Sequence, residues 1–144
     1  MIYKASTAHV DGTAKLSDNA QVCGNANIGN NAIVCDDARV EGNAWVWGNA
    51  TVGGNAWVWG YAKVYGNTKV YGSAHVHGNA KLYGNAEVYD CAKVFDNALV
   101  WGDTIVKDNA AVGGNANISG SILEGDVTIS SCVIYSTHWW RDIP

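Results

Sequence analysis

The sequence predicts an all-β chain: short strands coiling on themselves into a single solenoid. Three observations carry this. A small residue recurs every six positions, an aliphatic residue follows each small one by two, and Gly-Asn pairs punctuate the interval. The small column starts at Ala8 and runs Ala14, Ala20, Ala26 and on to Ala116, with only Thr68 and Thr104 replacing alanine. The aliphatic column runs Val10, Leu16, Val22, Ile28 and on to Ile118, without exception across nineteen hexads.

Each part of the unit Gly-Asn-Ala-x-Val-x has a physical reason. Ala-x-Val alternates with period two, so Ala and Val share one face and the variable residues take the other. Glycine and asparagine tolerate left-handed backbone at low cost, so Gly-Asn makes the corner. A period of six puts no apolar stripe on a 3.6-residue spiral, which excludes a helix. Tight hairpins would need turns at wider intervals, which argues against a flat sheet. Each buried valine contributes roughly 1.5–3 kcal/mol. Repeats touch mainly their neighbours, so both ends need caps.

The organisation that follows is an N-terminal cap over 1–7, the repeat solenoid over 8–120, and an irregular final wrap and cap over 121–144. The hexad register fails after Ile118, where the count puts Glu124 in an inward aliphatic slot. His138-Trp139-Trp140-Arg141 lies near the end, and the two tryptophans are expected to close the base of the coil.

The pattern resembles the left-handed parallel β-helix of the hexapeptide-repeat proteins. An aliphatic residue followed four later by a small one, as in Val46-Ala50, Val52-Ala56 and Val58-Ala62, carries the resemblance. It implies a left-handed, three-sided prism with about 18 residues per coil, hence about six coils from Ala8 to Ile118. The chain departs from the family just after the aliphatic residue, where it often carries Trp or Tyr. The regularity is also similar to that of poorly characterised repeat proteins of bacteria and their phages.

With that coil, residues 18 apart stack. Trp47, Tyr65, Tyr83 and Trp101 then form one outward column beside Trp45, Lys63, Lys81 and Leu99. A second face carries Tyr71 and Tyr89 beside Lys69 and Glu87. The third carries Trp59, His77 and Phe95 beside Trp57, His75 and Lys93. Stacked aromatics stabilise a ladder by themselves. Contiguous exposed apolar area also marks interfaces, where Tyr and Trp are favoured. The nine residues Trp45, Trp47, Trp57, Trp59, Tyr65, Tyr71, Tyr83, Tyr89 and Trp101 are therefore the candidate binding surface. The expected function is non-catalytic: protein or ligand binding and self-assembly through the aromatic faces, with a homotrimer favoured because family members commonly pack prism faces. The neighbouring lysines suit an ion-pair rim or a phosphate-bearing, nucleotide-like ligand. The phage likeness would make inhibition of a host enzyme or capture of a nucleotide signal a fitting role.

Two other readings come from the resemblance. Many hexapeptide-repeat proteins are acyltransferases that use acyl-CoA at an intersubunit site with a general-base histidine. His75 and His77 are the only central histidines and would be the base candidates. Members similar to carbonic anhydrases hold zinc between subunits. His75 and His77 point the same way on one strand and would supply two metal ligands, a third coming from another subunit. Against catalysis stand the absence of a loop interrupting the hexads and of a helical C-terminal segment. No cofactor is expected.

Composition sets outer limits. Nine basic and thirteen acidic residues give a net charge of −4, which argues against a sequence-independent grip on duplex nucleic acid. No apolar run reaches the ~20 residues that span a bilayer, so no membrane association is expected. The opening residues lack the apolar stretch of a signal peptide, which favours the cytoplasm. The four cysteines, Cys23, Cys35, Cys91 and Cys132, form no CxxC and are expected to be free thiols.

Overall fold

The computed structural model describes residues 1–134 and the backbone strand Trp139–Arg141. Among the described residues every element is a strand of two or three residues. The strands assemble into three eight-stranded sheets by a strict rule: each strand pairs with the third one before it and the third one after it. Every pairing is parallel. The result is a three-sided β-solenoid of about seven coils. Face one begins with Tyr3–Lys4, face two with His9–Val10 and face three with Lys15–Leu16.

The coil count exceeds the six read from the repeat, for a local reason at each end. Tyr3–Lys4 already pairs in register with Gln21–Val22, so the first turn starts ahead of the hexads. After Ile118 the chain keeps coiling although its period shortens. Through most of the solenoid partners lie 18 apart, as in Trp57↔His75 and Lys63↔Lys81. At the C-terminal end Ile105 pairs with Ile122, Ala111 with Thr128 and Asn117 with Val133. These shorter coils account for the break in register at Glu124. Leu123, opposite Val106, takes the inward slot, and Glu124 falls next to Lys107. There its carboxylate pairs with Lys107 Nζ at 3.1 Å. The side chains of Trp139 and Trp140, and all of His138, lie outside the described residues, so their expected part in closing the base does too.

The core is what the six-residue period demands. The inward alanines and aliphatics from Ala20 to Ile118 are fully buried. Nothing larger than Leu or Ile stands among them. The two threonines that replace alanine are satisfied inside: Thr68 Oγ1 donates to the Tyr65 carbonyl and Thr104 Oγ1 to the Trp101 carbonyl, each at 2.7 Å. A buried hydroxyl left unpaired would cost free energy, so the replacement works only because these carbonyls are in reach.

The corners answer one constraint mainly in two ways, with Asn30 (φ 53) a third. The residue after the second outward position adopts positive φ. Glycine fills it in most coils, as at Gly60 (φ 70), and aspartate in others, as at Asp36 (φ 57). The aspartates offset the backbone cost with a hydrogen bond: the Gly54 N–H donates to Asp36 Oδ2 at 2.8 Å, and the Gly114 N–H to Asp96 Oδ2 at 3.2 Å. The following asparagines stack along the axis. Asn31, Asn49, Asn67, Asn85 and Asp103 form one continuous amide ladder, each Nδ2 donating to the next Oδ1. Such a corner holds every coil at the same azimuth, and so aligns the outward columns.

Candidate functional site

Since the core holds only small and aliphatic side chains, chemistry is confined to the outward columns. On face two the chain stacks Tyr65, Tyr83 and Trp101. Centroids are 5.2 Å and 5.8 Å apart, with planes within 8° and 6°. The Trp101 indole N–H donates to Asn117 Oδ1 at 2.7 Å. Trp47 belongs to the same column but behaves differently. It lies on Gly29, one coil earlier, where a Cβ would come within 2.8 Å of three indole carbons. Its ring partner is Trp45, two residues before it, 5.8 Å away. Among the described residues the column of stacked rings therefore breaks between Trp47 and Tyr65. A groove of ≈ 300 Å³ lies at the break, walled by Trp45, Trp47, Lys63 and Tyr65, with Gly48 and Gly66 along its corner.

Face one carries the densest cluster. His77 is sandwiched: Trp59 stacks on it at 4.2 Å and 5°, and Phe95 at 5.6 Å and 13°. Phe95 in turn covers Gly113, where a methyl would clash with the ring. His75 sits edge-on to Trp57 and Trp59 at 5.8 Å and 5.4 Å. Trp57 is anchored from the coil before: Arg39 lies 5.8 Å from its ring centroid, and its N–H donates to Glu41 Oε1 at 2.6 Å. Face three carries one stacked pair, Tyr71 and Tyr89, 4.8 Å apart.

Electrostatics follow from this packing. Burial, and then the charge of Lys93, hold the His75 imidazole below its ordinary range. Burial, and then the neighbouring His75, lower His77, while Asp96 opposes the shift. Burial first, then the acidic neighbours, raises the Tyr71 phenol. For Tyr65 the causes are burial and Tyr83. Both histidines are thus biased toward neutral imidazole, and their rings are engaged by aromatic neighbours.

All nine predicted aromatics fall on outward columns, on the faces the repeat arithmetic assigned. His75 and His77 do share a face. Zinc needs three or four protein ligands in a structural or catalytic site. Among the described residues no group of three or more His, Cys, Asp or Glu side chains converges, so one chain supplies only this pair. Cys23, Cys35, Cys91 and Cys132 are free thiols. Among the described residues no helix is long and apolar enough to cross a membrane.

Sequence reasoning missed Tyr61, a corner residue in a slot usually held by asparagine and well exposed. It also missed the anchoring of Trp57 by Arg39 and Glu41, and the groove. For the last two a signal was present: Arg39 stands 18 residues before Trp57, and Gly29 18 before Trp47.

The chain matches no known family model, and no curated protein shows significant similarity to it. The geometry alone defines its class: a parallel β-solenoid with three outward faces, each carrying aromatic side chains in its middle coils.

Proposed function

We propose that the protein is a non-catalytic binding and assembly scaffold whose aromatic outer faces are its contact surfaces. The observation that carries this is where the aromatics stand. They fill the outward columns of the middle coils, while Gly29, Gly53, Gly113 and Ser119 hold the same columns to either side. Ladder stability alone would favour bulky outward residues along the whole length, since every coil has the same neighbours. Several rings also keep much of their surface in water: Trp45 is 44% exposed, Tyr61 62%, Tyr65 37% and Tyr71 38%. Aromatic area of this kind is what interfaces use.

Face one, with Trp57, Trp59 and Phe95 around the two histidines, suits a second copy of the chain. A closed trimer of packed prisms is the assembly that the likeness to hexapeptide-repeat proteins favours. An acyltransferase would need His75 or His77 as a free base, and the packing of both rings favours the non-catalytic reading. Free thiols suit a reducing compartment, in keeping with the cytoplasm.

Native mass spectrometry tests the assembly. A trimer that falls to monomer with Trp59→Glu supports it. A wild-type chain that stays monomeric at high concentration overturns it.

A further inference from the structure

The groove on face two has features of a ligand site rather than of a flat contact. One of its walls is Tyr65, stacked on Tyr83 on one side and, among the described residues, covered by no ring on the other. Trp45 and Trp47 form the remaining aromatic wall. The Trp47 N–H is buried without an acceptor, whereas the Trp57 and Trp101 N–H groups each reach one a coil away. Packing alone therefore holds Trp47, and this wall is free to adjust to an occupant.

One cation walls the groove and a second stands a coil beyond it. Lys63, in the wall, has its Nζ 5.6 Å from the Trp45 ring centroid, and Lys81, outside the wall, pairs with Lys63 in the next strand of the face. Paired residues on adjacent strands are about 4.8 Å apart. Among the described residues neither lysine pairs with a carboxylate. Two like charges directly opposite one another in a sheet repel, and an anion between them relieves this. A phosphate, carrying up to two negative charges, matches two adjacent ammonium groups better than a single carboxylate does. The groove volume is at the low end of small-molecule sites.

We infer that the groove binds a small planar ring carrying a phosphate, of the size of a nucleoside monophosphate. The ring continues the Trp101-Tyr83-Tyr65 stack by lying on the open face of Tyr65, against Trp45 and Trp47. The phosphate sits over Lys63 and Lys81. The inference rests on the reading of the aromatic faces as binding surfaces, but not on self-association, which face one carries.

Calorimetric titration of the full chain with adenosine monophosphate at low salt tests it. One equivalent should bind per chain, with quenching of tryptophan fluorescence. Stacking of a base on an aromatic ring is large enough that Tyr65→Ala should weaken binding roughly tenfold or more. Lys63→Gln should weaken it several-fold, and so should replacing the nucleotide by adenosine. Lys15→Gln, an exposed charge removed from face three, should leave binding unchanged. The inference is overturned by a titration without saturation, by equal affinity for adenosine, or by binding that survives both the Tyr65 and Lys63 changes. Tighter binding of oligothymidylate than of the mononucleotide would overturn it in favour of a strand-binding groove. The two readings fail separately: a monomer that binds the nucleotide removes only the assembly, and a trimer that ignores it removes only the ligand.

Discussion

Replacing Gly60 by alanine and, separately, by aspartate isolates what the corners contribute. Gly60 has φ 70, and a Cβ there would meet the Gly78 amide nitrogen at 3.1 Å and carbonyl oxygen at 3.2 Å. Those contacts need a shift of only a few tenths of an ångström, so the backbone conformation dominates. Left-handed backbone costs a non-glycine residue roughly 1–2 kcal/mol, and Gly60→Ala should lose about that much. Gly60→Asp bears the same Cβ, but its carboxylate can accept the Gly78 N–H. Asp96 does this for Gly114 in the same corner column at 3.2 Å. Such a bond returns about 0.5–1.5 kcal/mol. The aspartate variant should therefore be about 1 kcal/mol more stable than the alanine variant, or roughly 3–4 °C in Tm for a chain of this size. Urea unfolding followed by circular dichroism at pH 7 reads the difference directly. An alanine variant as stable as wild type, or as stable as the aspartate variant, would refute the account of the corner.

Three further outcomes follow from the packing. His75 and His77 have folded-state pKa values below the ordinary 6.5, so the unfolded chain binds more protons as pH falls through 6.5. Stability should accordingly be full above that value and decline below it. His77→Phe should show a smaller loss between pH 7 and pH 5 in urea midpoints. Ala62 is fully buried in a core of alanines and aliphatics, so overpacking by Ala62→Leu should cost roughly 1–3 kcal/mol, measured as a lowered urea midpoint. Burial raises the Cys23 and Cys35 thiols, whose acidic neighbours add to the shift, while Cys91 is exposed at a corner. Iodoacetamide at pH 8 should label Cys91 first, as peptide mass mapping would show.

Most of the fold was legible because its core is written in two residue types at one spacing. Ala20 through Ile118 could be sorted into inward and outward sets by counting, and the sheets keep that sorting. Counting failed where the spacing changed. A charged residue in the inward slot at Glu124 marks the failure of the hexads but not its remedy: a coil shortened before Ile122 brings Leu123 inward instead. Nothing in the hexad itself signals where a residue will be dropped. The outward columns were likewise legible, but the lean of each ring was not. Trp47 and Tyr65 stand one coil apart in the same column, and counting alone would stack them. Which way an indole turns depends on the space before and after it, and Gly29 offers that space to Trp47. The same reasoning applied to Gly113 would have placed Phe95. The groove is thus a consequence of one missing side chain a coil away, a relation visible only when the sequence is wrapped at 18 residues.

The separation of inward from outward positions has a bearing on how such a protein changes over time. Alanine and the aliphatics specify the shape, and the variable positions are left almost without structural duty. Any outward residue therefore has an address, given by its face and its rung, that does not move when its neighbours are exchanged. New surface chemistry can be written one site at a time, and a duplicated or deleted coil shifts the rest of the pattern along the axis without scrambling it. Recognition on such a scaffold can drift quickly while the scaffold itself stays the same.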